Sequence, residues 1–225
     1  MSAPTANSIR STPWPGTRSE EPASLSLEGQ PVELPVIIGS EGEKAIDISR
    51  LRSGTGFITL DEGYVNTGST TSGITFLNGE KGILRYRGYP IEDLAARCDF
   101  IEVAYLLIYG ELPTEAELAA FRHSLSNHSM IHEDMRSFYS GFPRDAHPMA
   151  IVGSVVGALS TFYQDSLDVR DPKQVEVSVH RLLAKLPTIA AYSYKKSIGQ
   201  PLIYPRNDRS YCENFLQMMF LESSL

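Results

Sequence analysis

The segment from Ile83 to Ala95, ILRYRGYPIEDLA, constrains the fold more than any other part of this sequence. The apolar pair Ile83-Leu84 predicts a short strand, and Gly88 permits a tight turn after it. Pro90 fixes φ at a value suited to a first helical turn, and the two acidic residues that follow it are favoured near a helix N-terminus. The chain therefore changes here from strand to helix.

Before this junction, short apolar runs between turn-forming residues predict strands. Asn78-Gly79, followed by Gly82, predicts a tight hairpin. The small polar residues from Thr67 to Gly73 predict a loop. The predicted strand segments are Leu25–Leu27, Val32–Leu34, Gly56–Leu60, Ile74–Leu77 and Ile83–Leu84.

After the junction the apolar period is helical. One or two helices are predicted from Ile91 to Tyr109, ending at Gly110. Leu118, Phe121 and Leu125 share one face of the helix that follows. Further helix starts are marked by capping boxes or prolines, and stops by glycine or proline. The predicted helices begin at Thr114, Pro148, Pro172, Thr188 and Ser210, and the one from Thr188 ends before Gly199 and Pro201.

The helix from Pro148 to Gln164 is apolar nearly all round, which predicts burial on more than one side. Gly153 and Gly157 are four residues apart, so they lie on one face and allow a second helix to approach closely. Two interpretations remain open, a core helix within one chain and a helix at a subunit interface.

These patterns predict a mainly α fold preceded by a small N-terminal β module. The chain of 225 residues can bury one sizeable core. The N-terminal segment is rich in Pro, Ser and Thr, which predicts a disordered tail and leaves an organellar transit peptide as the alternative. The predicted boundaries are 1–24 for the tail, 25–90 for the β module, 91–220 for the helical domain and 221–225 for a divergent end.

Charge and cysteine content exclude several classes of function. The net charge of −7 disfavours nucleic acids and anionic membrane surfaces as partners. The longest uncharged stretch, 148–164, is shorter than the roughly 20 residues that cross a bilayer. Cys98 and Cys212 have no close-spaced partners, so we expect reduced thiols and a cytoplasmic protein.

No sequence motif identifies a reaction. Phosphate-binding loops, dinucleotide-binding glycine motifs, nucleophile elbows and zinc-protease motifs do not occur. His128 and His132 are four residues apart, but no Cys or carboxylate pair nearby completes a metal site. His123 and His180 fit helical patterns and are interpreted as structural. We therefore predict no metal site.

An ordered set of motifs runs from about Leu25 to Phe220, and it includes Arg87–Pro90, Arg144–Met149, Phe162–Asp168, Ser197–Pro201, Tyr204–Asp208 and Asn214–Phe220. This set resembles citrate synthase, and the β module resembles that of the bacterial hexameric type inhibited by NADH. The resemblance implies a citrate synthase-like helical domain, of which this chain holds the first half.

The resemblance implies condensation of acetyl-CoA with oxaloacetate to citrate and CoA, the entry step of the tricarboxylic acid cycle. In the family a carboxylate removes a proton from the acetyl methyl group, and histidines polarise the thioester and the ketone. Those histidines lie in segments resembling H-A-D-H-E and G-P-x-H-G-G, and neither occurs here. We therefore assign no catalytic residue and no required cofactor, and expect this chain alone to be inactive.

The NADH-inhibited type implies an allosteric nucleotide site. Arg181 and Lys185 are four residues apart on a predicted helix, so both can meet a pyrophosphate. Tyr163 can stack on a base or ribose. Asn127 stands where the family commonly has arginine, which removes one phosphate partner. The expected site residues are His128, Met130, Tyr163, Arg181, Lys185 and Asn207.

Three interpretations follow. The first is a citrate synthase fragment from a homo-oligomer, a dimer up to a hexamer, with small-molecule substrates as its partners. The second is 2-methylcitrate synthase, which uses propionyl-CoA. The third is a non-catalytic nucleotide-binding or interaction module.

Overall fold

The computed structural model describes residues 17–221, which divide into two compact units. The strand unit extends to Ile91, and the helical unit begins at Glu92. The predicted fold class, mainly α with small N-terminal strands, is confirmed. Within residues 17–221, no helix is both long and apolar enough to span a bilayer.

The strand unit contains three small antiparallel sheets and one short helix, α1 (Leu51–Thr55). The sheets have the strand orders β1-β4-β5, β2-β3 and β6-β7-β8. The strands are β1 Thr17–Arg18, β2 Ala23–Leu27, β3 Gln30–Leu34, β4 Val36–Ile38, β5 Lys44–Ile46, β6 Thr75–Asn78, β7 Ile83–Tyr86 and β8 Tyr89–Pro90.

The hairpin between β6 and β7 is confirmed. Leu77 faces Leu84, and Asn78 faces Ile83. The Asn78 side chain accepts a hydrogen bond of 3.0 Å from the backbone N–H of Lys81, which closes the turn. Gly82 has φ of 65°, a conformation that glycine adopts without steric cost.

Two expectations for the strand unit are wrong. The tail expected over 1–24 is not irregular throughout, because it includes β1, which pairs with β4, and the start of β2. The rest of that expectation, residues 1–16, lies outside the described residues. The expected strand Gly56–Leu60 is irregular, since it follows α1 and pairs with no strand in the described chain. Its apolar side chains Ile58 and Leu60 are 71% and 86% exposed. The predicted loop from Thr67 to Gly73 is confirmed.

The helical unit contains seven α-helices among the described residues. The capping boxes predicted at Thr114 and Ser210 are confirmed. A third capping box, at Asp99, begins the second helix of the unit just after the first helix ends. The helices are α2 Ile91–Arg97, α3 Phe100–Tyr109, α4 Glu115–His128, α5 Met135–Gly141, α6 Pro148–Phe162, α7 Pro172–Ile198 and α8 Tyr211–Phe220. A short 3₁₀ turn, Gln164–Ser166, follows α6.

The separate helices expected from Pro172 and Thr188 are one continuous helix, α7, with Pro187 inside it. Proline lacks an N–H, so it leaves the carbonyl four residues earlier, that of Leu183, without its helical donor. The Tyr211 hydroxyl of α8 donates a hydrogen bond of 2.8 Å to this carbonyl. A residue far along the sequence therefore compensates for the proline, and the helix continues.

The core surrounds α7. One cluster joins α5, α6 and α7, with Tyr139, Val155 and Ile189 at most 2% exposed. A second cluster joins α3, α4 and α7. It includes Phe121 and Leu125, which lie on the apolar face predicted for α4. Because both clusters use α7, this helix is the centre of the unit.

Within one chain, helix α6 buries one face only, so the chain itself does not provide the expected burial on more than one side. Ile151, Val155 and Leu159 face the core. Gly153 and Gly157 are exposed, although they are part of an almost uncharged helix.

Candidate functional site

Five of the six expected site residues lie close together around the middle of α7. The end of α4, the turn after α6 and the third and fourth turns of α7 meet there. Arg181 and Lys185 project from the same side of α7, as their spacing predicts. Both cations lie over the ring of Tyr163, at 4.9 Å for the Arg181 Cζ atom and 4.8 Å for the Lys185 Nζ atom.

The ammonium group of Lys185 binds protein backbone. The side chain is 3% exposed and donates to the carbonyls of His128 at 2.8 Å and Met130 at 2.5 Å. Burial lowers its pKa to about 8, and the Arg181 charge acts in the same direction. At neutral pH the group is still mainly protonated, so it fixes the chain after α4 against α7.

The guanidinium of Arg181 is held in a two-pronged ion pair. Its two terminal nitrogens donate to the two carboxylate oxygens of Asp165, at 2.6 and 2.8 Å, and one also donates to the Ser166 hydroxyl at 2.9 Å. The Arg181 side chain is 18% exposed, whereas that of Asp165 is 65% exposed. The guanidinium lowers the pKa of Asp165, so this carboxylate is charged at neutral pH.

The remaining expected residues differ in position. His128 closes α4, and its Nδ1 lies 2.7 Å from the Ser124 carbonyl. Met130 contributes its carbonyl to Lys185 and leaves its side chain 51% exposed. Asn127 contacts the His123 ring at 2.9 Å. Asn207 lies in an exposed turn before α8, and no hydrogen bond within residues 17–221 connects it to the other five.

Sequence reasoning missed the polar partners of this cluster. Asp165 lies 16 positions from Arg181, so no local spacing rule could indicate their pairing. A second network surrounds His180, whose ring nitrogens lie 2.7 Å from the Tyr109 hydroxyl and 2.8 Å from the Ser124 hydroxyl. The Tyr109 hydroxyl also donates to Glu176 at 3.3 Å. The structural role expected for His180 agrees with these contacts.

The cluster has the chemistry of a binding site. A cationic fork beside an aromatic ring suits an anion attached to a planar group. In residues 17–221 no group of three or more His, Cys, Asp or Glu side chains is arranged to hold a metal ion. The lysine and arginine already have partners, so a ligand must add to or replace these contacts.

Comparison with known proteins gives a consistent result. The family model described as "Citrate synthase, C-terminal domain" matches residues 63–224. "Citrate synthase 1" of Mycobacterium tuberculosis (strains CDC 1551 and H37Rv) is 52% identical over 202 residues, which cover 90% of this chain and 47% of that protein. The chain thus spans about half the length of the curated relatives it matches.

Solved citrate synthases have the same fold over this region. The Thermotoga maritima MSB8 enzyme is 31% identical, with a TM-score of 0.62 over 72% of this chain and 42% of that one. The Pyrobaculum aerophilum enzyme is 30% identical, with a TM-score of 0.64 over 82% and 44%. A Thermoplasma acidophilum citrate synthase, solved with carboxymethyl coenzyme A and oxaloacetate, is 24% identical and supports the fold alone, with a TM-score of 0.66 over 74% and 44%.

Proposed function

Since this chain belongs to the citrate synthase family, we propose that it supplies the first half of an enzyme that condenses acetyl-CoA with oxaloacetate. The observation that carries the proposal is the 52% identity to "Citrate synthase 1" over 90% of the chain. In this proposal the helical unit is scaffold and regulatory surface. The histidines that act on the substrates come from the half of the relatives that this chain does not match.

A thiol-release assay with acetyl-CoA and oxaloacetate tests the proposal. The 225-residue chain alone is expected to release no thiol above background, because no enolising carboxylate or polarising histidine can be assigned in it. A chimera in which residues 25–220 replace the matching segment of "Citrate synthase 1" is expected to release thiol only when both substrates are present. A folded but inactive chimera would contradict the proposal.

The same chimera distinguishes the alternatives. Propionyl-CoA in place of acetyl-CoA tests for 2-methylcitrate synthase, and the β module supports the citrate-forming enzyme. A chain that binds nucleotide while its folded chimera is inactive would support the non-catalytic module instead.

We further propose that the cluster around Tyr163 is an allosteric site for NADH. Its support is the convergence of His128, Met130, Tyr163, Arg181 and Lys185, with a guanidinium fork suited to a pyrophosphate. Lys185 positions the backbone of His128 and Met130 in this arrangement. Asn207 joins the site only if its turn moves when the ligand binds.

Fluorescence titration with NADH tests this site. Arg181→Ala removes a charge-assisted phosphate contact, so we expect binding weaker by about ten- to a hundredfold. Asn127→Arg adds a cation at the position where the family commonly has arginine, and should strengthen binding. Equal affinity of Arg181→Ala and the parent would show that the cluster is an ordinary charged helix face.

We also propose that the protein is a homo-oligomer, a dimer or a larger assembly up to a hexamer, through the exposed face of α6. Gly153 and Gly157 lie on this face, and Met149 is 66% exposed beside them. Light scattering on the chain should detect oligomers, and Gly153→Glu should reduce them. A sharply monodisperse parent monomer with cooperative melting would contradict this proposal.

The cytoplasm is the proposed compartment. Both cysteines are free, with Cys98 partly buried and Cys212 exposed. Free thiols are typical of reducing compartments.

A further inference from the structure

From the two-pronged contact with Arg181, we propose that Asp165 is an internal competitor that occupies the phosphate-binding fork of the proposed nucleotide site. This inference rests on the proposed regulatory function, since it identifies the residue that sets the affinity of that site for phosphate groups. A ligand phosphate must displace the Asp165 carboxylate before it can bind the same guanidinium edge.

The Asp165 carboxylate contacts Arg181 with the geometry that a phosphate group would adopt. Arginine binds carboxylate and phosphate alike through two parallel N–H donors. Asp165 accepts one N–H from each terminal nitrogen of Arg181, at 2.6 and 2.8 Å, and the Ser166 hydroxyl accepts a further bond at 2.9 Å. Both terminal nitrogens of the guanidinium are therefore already engaged within the chain.

The environment makes this contact replaceable. The Asp165 side chain is 65% exposed, so it can turn into solvent when the contact is lost. Arg181 is mostly covered and lies over the Tyr163 ring at 4.9 Å, so it stays in place. One partner is fixed and the other is free to leave, as competition requires.

The competing charge persists across the neutral range. Arg181 lowers the pKa of Asp165, and the carboxylate therefore remains ionised near pH 7. Its negative charge also repels an approaching phosphate until it moves away.

The test compares Asp165→Asn with the parent chain, using NADH by fluorescence and inorganic pyrophosphate by calorimetry. Asparagine keeps the shape and removes the charge, so we expect both ligands to bind about three- to tenfold more tightly. Asp168→Asn is the matched control, because it removes one charge from the same segment. The Asp168 carboxylate accepts a hydrogen bond from the Arg170 backbone N–H, and within residues 17–221 it forms no hydrogen bond or ion pair with Arg181.

Each result decides the proposal. The competitor role is supported if Asp165→Asn binds pyrophosphate more tightly, Asp168→Asn does not, and the gain is lost when Arg181→Ala is added. If that result is accompanied by an unchanged NADH affinity, it counts only against NADH as the proposed regulatory ligand. No gain for pyrophosphate, weaker binding by Asp165→Asn, or an equal gain in Asp168→Asn overturns the competitor role. Thermal melting of each variant confirms that it is folded.

Discussion

The strand unit and the helical unit differ in how they are stabilised. Among the described residues, only Leu34 and Leu51 are buried apolar side chains in the strand unit, whereas the helical unit contains two connected clusters around α7. The strand unit depends on hairpin hydrogen bonds, and three small sheets cannot enclose a core of their own. The comparison indicates that burial in the helical unit supplies most of the free energy of folding.

A matched pair of truncations is the strongest test of this difference. Ile189→Ala removes a side chain that is 0% exposed in the α5–α6–α7 cluster, and should cost about 2–5 kcal/mol of unfolding free energy. Leu77→Ala, in a β6 side chain that is 69% exposed, should cost less than about 0.5 kcal/mol. Urea unfolding followed by circular dichroism gives both values, and similar costs would remove the distinction between the units.

The second prediction concerns the buried polar contacts of the helical unit. Lys185→Met keeps an apolar stem but leaves the carbonyls of His128 and Met130 without their donor. We expect a loss of about 1–3 kcal/mol in the same unfolding measurement. Lys173→Met, at an exposed position of the same helix, is the control and should change little. If both variants lose the same unfolding free energy, the loss in Lys185→Met does not come from its hydrogen bonds to the two carbonyls.

The smallest predicted effect is a change of stability with pH. It should arise in the helical unit, because all five histidines follow residue 91. Burial lowers the pKa of His180; Glu176 opposes this shift and His128 adds to it. A lowered pKa means that the unfolded chain takes up the proton first. Stability should therefore be full above the ordinary histidine pKa of about 6.5 and fall as pH decreases through the folded-state value.

Thermal melting between neutral and mildly acidic pH measures this effect. His180→Gln should flatten the decline, since it removes the titrating ring from the Tyr109–Ser124 network. His147→Gln is the control, because that ring lies at an exposed helix start. An unchanged slope in His180→Gln would assign the decline to other groups.

Local signals in the sequence predict much of the secondary structure. The capping boxes at Thr114 and Ser210, and the stops at Gly110 and Gly199, lie at helix ends in the structure. Each works because a side chain or a glycine satisfies backbone groups within a few residues. The 56–60 segment shows the limit: its composition suits a strand, but strand pairing needs a partner that the segment itself does not contain.

The candidate site was likewise predictable from the sequence only in part. The i, i+4 spacing of Arg181 and Lys185 places both on one side of a helix whatever surrounds it. The sequence gives no indication that Lys185 donates to the backbone after α4, or that Asp165 pairs with Arg181. Their partners are distant in sequence, and only the packing of α4, α6 and α7 brings them together.

By itself, the sequence determined the capped helix ends at Gly110, Thr114, Gly199 and Ser210, the hairpin at Asn78, the mainly α class and the resemblance to citrate synthase, because these depend on local backbone chemistry and ordered motifs. The tertiary structure alone decided that α7 runs through Pro187 and that Arg181 already has a carboxylate partner. Both depend on hydrogen bonds between distant segments, from Tyr211 to Leu183 and from Arg181 to Asp165. Such bonds form only when folding has paid the entropy of bringing those segments together.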